Sequence, residues 1–167
     1  MTVLIGPPLL GRGEVALTDD IAARHSRPSF YADPAAWLAV EAVAAALGEA
    51  GAAVAQAGED VGVLAISATA TTRTMRAIRR TAAAGRVSPL RFAGANPGSL
   101  AGLVCIEYGF RGPSLTLSMP PEQAWPVPVI RQDWLDGPCR YVVTVTHRGG
   151  PEGPEVAEAV VHGGSGS

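Results

Sequence analysis

The stretch that decides the fold is NPGSLAGLVCIEYGFRGPSLTLSMPPEQAW, residues 96–125. Asn96 is a favourable helix N-cap, and Pro97 suits the first helical position, where no backbone N–H is needed. Apolar residues then recur at helical spacing until Gly109, a residue typical of the position just after a helix. The pattern predicts a helix that begins at Pro97 and ends before Gly109.

A tight turn and a short strand follow this helix. Gly112-Pro113 predicts the turn, and residues 114–118, SLTLS, alternate polar and apolar side chains as a strand does. Leu115 and Leu117 point to one side of this strand, and Thr116 points to the other. The next residues, MPPEQAW, contain two prolines and stand where a strand would lead into a functional turn.

The segment GFRGPSLTL resembles the approach to the active site of β-ketoacyl synthases, the condensing enzymes of the thiolase fold. In that family the strand after the Gly-Pro turn ends at a nucleophilic cysteine, which begins a long buried helix. Counting from Gly112-Pro113, the cysteine position falls on Pro121. Proline offers neither a nucleophile nor an N–H for an oxyanion, so the resemblance implies a family member without its catalytic nucleophile.

The residues after Pro121 leave two interpretations open. Glu122-Gln123-Ala124 is similar to the turn of chain-length-factor subunits of type II polyketide systems, in which glutamine replaces the cysteine. Gln123 lies two positions beyond the Gly-Pro count, so either the turn has been remodelled or the likeness is accidental. Glu122 is a lone carboxylate without an identifiable partner, which rarely acts as a general base.

The resemblance extends over most of the chain and corresponds to the N-terminal half of a ketosynthase. The family's two catalytic histidines belong to the C-terminal half, which has no counterpart in these 167 residues. His25, His147 and His162 do not occupy equivalent places, and we predict that His147, at a strand end, lies at the surface. Cys105 is interpreted as a small core residue, and nothing near Cys139 would lower its pKa.

Elsewhere the pattern predicts alternating strands and helices. Short apolar runs indicate strands at residues 2–5, 61–68, 140–146 and 155–161, the last two joined as a hairpin. Residues 10–31 are interpreted as a long connection with room for a turn of helix. Helices are predicted from Asp33-Pro34 through an apolar run to residue 47, over residues 69–84 with Thr71 or Thr72 as cap, and over residues 129–135 with Pro128 in the first turn.

The predicted fold class is α/β: the N-terminal half of a thiolase-like fold, with a mixed five-stranded sheet flanked by helices. Residues 1–162 would form one ketosynthase-like domain, and residues 163–167 a flexible Gly/Ser tail. Trp125 and Trp134 are expected to pack on the sheet or at an interface.

Composition excludes several classes of function. The net charge of −2 argues against nucleic-acid binding, and two cysteines provide neither a disulfide framework nor a metal-binding set. No apolar run approaches the ~20 residues that span a bilayer. The first ten residues lack the features of a signal peptide. We therefore expect a cytoplasmic protein that binds no metal, cofactor, nucleic acid or membrane.

Arginines are concentrated in one part of the chain. Six of the 13 basic residues lie between residues 73 and 91, and no Asp or Glu occurs from residue 61 to residue 106. On a helix Arg73, Arg76 and Arg80 share a face, with Arg79 close by. An ordinary solvated helix face is one explanation. The resemblance implies another, a docking site for an acyl carrier protein, which is typically acidic.

These observations favour a non-catalytic accessory or partner subunit of fatty-acid or polyketide biosynthesis. It would bind a ketosynthase, a second copy of itself or an acyl carrier protein, as a homodimer or heterodimer formed through Leu115, Thr116 and Leu117. Half a thiolase fold would also expose an apolar face. One alternative is a stand-alone acyl-transfer or hydrolytic enzyme that uses the remodelled turn from Pro120 to Gln123. Another is a degenerate α/β domain that binds a small molecule.

Overall fold

The computed structural model describes residues 6–25 and 30–164, so the predicted strand at residues 2–5 lies outside the described residues. Two 3-10 turns, Gly58–Asp60 and Pro121–Gln123, interrupt an alternation of strands and helices. In chain order the elements are β1 (Leu9–Ala16), α1 (Asp19–Arg24), α2 (Pro34–Ala50), α3 (Ala52–Gln56), β2 (Val61–Ser67), α4 (Thr72–Ala82), α5 (Pro89–Gly94), α6 (Ser99–Tyr108), β3 (Ser114–Leu117), α7 (Pro126–Asp136), β4 (Tyr141–Arg148) and β5 (Val156–Gly163).

The five described strands form one mixed sheet in the order β1-β5-β4-β2-β3. Strand β2 pairs in parallel with β3 and β4, whereas β5 is antiparallel to β4 and β1. Helices α2 and α6 pack on one face, and α7 packs on the other face over β2 and β4. This architecture confirms the predicted α/β class with a mixed five-stranded sheet.

Strand β1, Leu9–Ala16, covers the start of residues 10–31, which were predicted to be a connection, and that prediction is wrong there. Its side chains do alternate, but Gly11 and Gly13 occupy inward positions where apolar residues would signal a strand. Both glycines are needed because α2 lies against them. A Cβ on Gly13 would lie 2.5 Å from the carbonyl oxygen of Ala42, and one on Gly11 would overlap that of Ala46.

Helix α2 is the centre of the larger core and begins as predicted. The Asp33 side chain accepts the amide hydrogen of Ala35 at 2.9 Å and so caps the helix. Its other carboxylate oxygen accepts the amide hydrogen of Thr74, also at 2.9 Å, which ties the start of α2 to α4. The helix is apolar on nearly all sides because β1, β5, β4 and α6 surround it.

Strand β2 is buried along its whole length, as its continuous apolar sequence predicts. Its side chains alternate between the core around α2 and the smaller cluster under α7, which contains Leu64, Ile66 and Val127. Gly62 allows α7 to approach, since a Cβ there would lie 2.8 Å from the Trp134 ring. Trp134 therefore packs on the sheet, as expected.

Three helix starts differ from the predictions. Helix α6 begins at Ser99, because the Asn96 side chain accepts the amide hydrogen of Gly98 at 2.9 Å and forms a turn first. The Thr71 hydroxyl does not cap α4; it donates to the carbonyl oxygen of Ala95 at 2.6 Å. Helix α7 starts at Pro126, so both of its prolines lie in the first turn, where no intrahelical N–H is required.

The sheet face beside α7 is not the uniformly apolar surface that was expected. Strand register places Glu158 on the same face as Ile66, next to Arg12 and Arg148 on the flanking strands. Arg12 pairs with Glu158 at 3.0 Å, and Arg148 pairs with it at 3.5 Å. Charged side chains therefore occupy part of this face beside Val156 and Val160, so the face is not uniformly apolar.

The end of the described chain is held by the sheet. Gly163 closes β5 and donates its amide hydrogen to Pro8, and Gly164 donates to Arg140. Only residues 165–167 of the predicted tail lie outside the described residues. In the described part, no helix combines the length and apolar character needed to cross a bilayer.

Candidate functional site

Pro121, the residue that spacing predicts at the nucleophile position, begins a 3-10 turn between β3 and α7. Glu122 and Gln123 are exposed, and neither side chain has a hydrogen-bond partner among the described residues. The amide of Gln123 donates to Pro120 at 2.9 Å, and the following two amides also donate within the turn. These amides therefore do not form a free pair that could bind an oxyanion.

A small cavity of about 190 Å³ lies beneath this turn, at the carboxyl ends of β2 and β4. It contains one charged side chain, Arg148, and no carboxylate, imidazole or thiol that could act as a general base. The lining residues are Ile66, Pro121, Ala124, Val127, Pro128, Thr146 and Arg148. The lining combines apolar side chains with the polar Thr146 and the cationic Arg148, and it lacks the groups needed for condensation.

Both cysteines are poor nucleophiles. Burial raises the pKa of the Cys105 thiol, and a hydrogen bond with Ser114 offsets only part of that effect. Burial also raises the pKa of Cys139; the backbone of Gly62 lowers it by less, and the charge of Asp60 adds to the increase. Because the thiolate is the reactive form, neither side chain is activated at neutral pH.

A buried network of Ser67, His147 and Glu155 was missed by the sequence analysis. Ser67 Oγ lies 2.8 Å from His147 Nδ1, and His147 Nε2 lies 3.3 Å from Glu155 Oε2. His147 is only 1% exposed, so its predicted surface location is wrong. The alternation of β4 could have revealed this, since residues 141, 143, 145 and 147 all face the core.

This network resembles a serine–histidine–acid triad, but its serine is not available as a nucleophile. Ser67 Oγ accepts the amide hydrogens of Ala70 at 2.6 Å and Thr69 at 3.2 Å. Its own hydrogen is then donated to His147 Nδ1, which leaves the Nε2 hydrogen for Glu155. Both oxygen lone pairs are engaged and Ser67 is fully buried, so the network is structural.

The network stabilises the turn that leads into α4. Ala70 has φ of +32°, which is unfavourable for a residue other than glycine. The short hydrogen bond from its amide to Ser67 holds this conformation. Ser67 therefore connects the end of β2, the start of α4 and the hairpin of β4 and β5.

The four arginines predicted to bind a partner fall into two groups of two, one with ion-pair partners in this chain and one without. Arg73 pairs with Glu155 at 2.5 Å, and Arg76 pairs with Glu152 at 2.8 Å. Arg79 and Arg80 are exposed, and no carboxylate lies within ion-pairing distance of either among the described residues. The expectation of a surface with one sign of charge is thus only partly right, because the β4–β5 loop brings two glutamates to α4.

Leu115, Thr116 and Leu117 lie on β3, an edge strand of the described sheet. The carbonyl oxygen of Pro113 accepts the amide hydrogen of Val63 at 2.9 Å. Because backbone groups alternate along a strand, residues 113, 115 and 117 face β2, whereas the Thr116 amide faces the open edge. Leu115 is 37% exposed, so this edge also presents an apolar side chain.

Among residues 6–25 and 30–164, no group of three or more His, Cys, Asp or Glu side chains is arranged to hold a metal ion. The mixed five-stranded sheet with its flanking helices has the fold of a ketosynthase N-terminal domain, and a proline begins the turn after β3. Residues 14–118 match the family "Beta-ketoacyl synthase, N-terminal domain". The chain belongs to this family. No curated protein matches it in sequence.

Several solved structures share the fold. The ishigamide ketosynthase/chain length factor has a TM-score of 0.68 at 13% identity, with 93% of this chain and 57% of that chain covered. A ketosynthase (ApeO) in complex with its chain length factor (ApeC) from Xenorhabdus doucetiae has a TM-score of 0.61 at 14% identity, covering 97% and 81%. AntDE:AntF, a type II acyl-carrier protein in complex with its ketosynthase, has a TM-score of 0.70 at 13% identity, covering 93% and 61%. This chain thus spans less than two thirds of the length of the matched chains in the first and third of these structures.

Proposed function

We propose that this protein is a non-catalytic ketosynthase-like accessory subunit of polyketide or fatty-acid biosynthesis, which acts by binding a ketosynthase or an acyl carrier protein. The proposal is carried by the turn after β3, which begins at Pro121, the residue that spacing assigns to the family's cysteine, and whose amides are bonded internally. The cavity beside it, whose lining has no carboxylate, imidazole or thiol, and the raised thiol pKa values give further support.

A stand-alone acyl-transfer or hydrolytic enzyme would need an activated nucleophile, and we find none among the described residues. Ser67 has the neighbours of a catalytic serine, but its oxygen is saturated with hydrogen bonds and shielded from solvent. The turn from Pro120 to Gln123 offers Glu122 as a lone carboxylate. The proposal is compatible with Gln123 having the role of the glutamine that replaces the cysteine in chain-length factors.

The open edge of β3 supports association with a ketosynthase or a second copy of this chain. An edge strand with free backbone groups is a template for pairing with another strand. In the complex of a ketosynthase with its chain length factor, this protein aligns with 81% of the length of one chain. That complex therefore contains a chain of nearly the same length as this protein. We propose a homodimer or heterodimer formed through this edge.

The arginines of α4 support an acyl carrier protein as the second proposed partner. Acyl carrier proteins are typically acidic, and complementary charge increases the rate and specificity of association. A related fold has been solved as a ketosynthase in complex with its type II acyl-carrier protein. We propose that this chain contacts a carrier protein through the α4 surface, in the cytoplasm.

Self-acylation tests the absence of catalysis. The protein is incubated with malonyl and longer acyl thioesters, and its intact mass is measured, with Cys105→Ala/Cys139→Ala as the matched variant. We expect no stoichiometric adduct on either protein, since neither thiol is activated. An adduct that survives in the double variant would require another nucleophile and would overturn the proposal.

A further inference from the structure

Three polar side chains lie where helix α7 meets strands β4 and β5, on the sheet face that α7 covers. Arg131 is on α7, Thr144 is on β4 and His162 is on β5. Strand register pairs Thr144 with Val160, two residues before His162, so both polar side chains point to the same face. The charge of Arg131 acts on the His162 ring and helps to lower its pKa. These three residues are called the α7 seam below.

Each residue of the α7 seam has a buried polar atom without a hydrogen-bond partner in the part of the chain that the structure describes. The atoms are Arg131 Nε, Thr144 Oγ1 and His162 Nδ1, three of the six such side-chain atoms among the described residues. Thr144 is only 6% exposed. Because buried polar groups are nearly always bonded, three unpartnered atoms in one place indicate a group that belongs between them.

The α7 seam carries one positive charge that the described chain does not balance. No carboxylate among the described residues lies within ion-pairing distance of Arg131, whose guanidinium has a pKa lowered by burial. Glu158, on the same face of β5, is already shared by two other arginines. Asp133 stands two positions after Arg131 and faces another direction, and Asp136 accepts a hydrogen bond from Gln132. The missing group is therefore expected to be an anion.

We propose that the α7 seam binds the carboxylate of a small acid, with Arg131 supplying the charge and Thr144 and His162 supplying hydrogen bonds. A guanidinium presents N–H groups in a fork that matches the two oxygens of a carboxylate. The Thr144 hydroxyl donates to the same group, and the neutral His162 ring donates from Nδ1 in the tautomer that carries its hydrogen there. This inference does not depend on the proposed function.

The charge of the α7 seam favours a carboxylate over a phosphate. His162 is neutral at physiological pH because its pKa is about 4, so Arg131 is the single cation of the seam. One carboxylate balances this charge. A phosphate group carries about 1.5 to 2 negative charges at pH 7, and the excess would have to be removed from water without a partner.

The position of the α7 seam gives a small acid a way in. Helix α7 packs over β2 and β4, so β5 lies at the margin of the covered area. Arg131 and His162 are only partly buried, whereas Thr144 lies farther in. The arrangement places the hydroxyl at the inner end of the site and the guanidinium at its rim.

The test titrates the full chain with sodium acetate at neutral pH, against sodium chloride at equal ionic strength. Thermal unfolding measures binding to the folded protein, and the NMR signals of the His162 ring, assigned with His162→Gln, show where the ion is bound. Two variants alter the site. Arg131→Gln removes the charge and keeps a donor, and Thr144→Val keeps the shape of the side chain and removes the hydroxyl.

Each site variant has a matched control. Arg111→Gln removes an exposed arginine that is loosely paired with exposed Glu59. Ser99→Ala removes another unpartnered hydroxyl, on α6, which packs on the other face of the sheet. Both controls should bind acetate as the wild type does.

We expect acetate to raise the unfolding temperature of the wild type above its value in chloride and to move the His162 ring signals. Each site variant should bind acetate about tenfold more weakly, as the loss of a charged hydrogen bond does. Without acetate, Thr144→Val should unfold at the same temperature as the wild type or higher, because it removes a buried hydroxyl that nothing satisfies. A purely structural threonine would show the reverse: lower stability and unchanged acetate binding.

Three results would overturn the inference. Acetate that acts no differently from chloride would mean that the α7 seam holds water only. Stabilisation by acetate that persists in Arg131→Gln, with His162 signals that do not move, would locate the bound ion elsewhere, such as on the arginines of α4. Inorganic phosphate that binds more tightly than acetate, and is lost in both site variants, would show a doubly charged ligand in place of a carboxylate.

Discussion

Nε2 of His147 lies 3.3 Å from Oε2 of Glu155, and the other oxygen of this carboxylate pairs with Arg73. One buried carboxylate thus connects β4, the start of β5 and α4. Burial alone would raise the pKa of Glu155. Hydrogen bonds from His147 and Arg73, together with the charge of Arg73, outweigh burial and hold the pKa below its ordinary value.

Replacing Glu155 should therefore weaken the fold in a pH-dependent way. A carboxyl with a lowered pKa stabilises the fold above its unfolded pKa, and this contribution is lost as pH falls through the folded value. We expect Glu155→Gln to cost about 1–3 kcal/mol at neutral pH, as for a hydrogen-bonded buried charge. The cost should shrink below pH ~4.3, the ordinary pKa of a glutamate.

Thermal unfolding across pH measures this effect. The control is Glu152→Gln, because the Glu152–Arg76 pair is exposed and should contribute less than about 1 kcal/mol. Curves for Glu155→Gln and wild type that run parallel through the acid range would show that Glu155 is not the titrating group.

The pKa of His162 leads to a separate prediction, for a higher pH range than that of Glu155. Burial, followed by the nearby charge of Arg131, lowers its pKa from 6.5 to about 4. A histidine with a lowered pKa is neutral in the fold, so its contribution is complete above pH 6.5 and is lost as pH falls toward 4. His162→Gln should flatten the stability curve in this window, and NMR titration of the wild-type ring should give a midpoint near 4. A midpoint at the ordinary histidine value would refute the assignment.

Two glycines should respond oppositely to the same substitution. Gly13→Ala forces a Cβ against the α2 backbone and should destabilise the fold by about 1–3 kcal/mol. Gly48 lies inside α2 with nothing within 4 Å of the added carbon, so Gly48→Ala should stabilise by up to about 1 kcal/mol. Urea unfolding measures both. Equal effects would mean that β1 does not lie against α2.

Thr116 tests the proposed association edge. Its amide faces outward from the sheet, so Thr116→Pro removes a donor from the open edge and leaves the bonds to β2 in place. We expect Thr116→Pro to prevent association with a second copy or a ketosynthase, while its thermal stability changes little. Light scattering of the protein alone, and mixed with a candidate ketosynthase, measures this.

Leu115→Pro is the matched control, because the Leu115 amide faces β2 and its loss should destabilise the fold itself. A wild-type protein that stays monomeric at high concentration and in the presence of the ketosynthase would count against association through β3. Association that persists in Thr116→Pro would locate the contact elsewhere.

The sequence predicted those elements whose own residues carry the signal. The continuous apolar run of β2, the Asp33-Pro34 start of α2 and the Gly109 end of α6 are local features, and each occurs as predicted. The proline-containing turn after β3 is also a local feature, and a 3-10 turn begins there at Pro121. Strand β1 could not be, because glycine at its inward positions removes the apolar alternation that indicates a strand.

What the sequence could not provide was the pairing of distant charges. Arg73 meets Glu155, 82 residues away, and Ser67 meets His147, 80 residues away. Such contacts depend on strand order and register, which no local pattern specifies. For this reason the arginine cluster was expected to be uniformly positive, and the partners of His147 were not predicted.

The position of β1 has a consequence for folding during synthesis. Strand β1 is made before the other described strands but lies at the edge of the sheet, where it pairs with β5, the last of the described strands to be made. The surface of helix α2, which is apolar on nearly all sides, is therefore not covered until β4 and β5 have been made. Pairing of such distant segments is slow, so a nascent chain exposes a long apolar helix until β5 is available. Chaperone capture of ribosome-bound chains should be strongest after α2 emerges and should fall when β5 does.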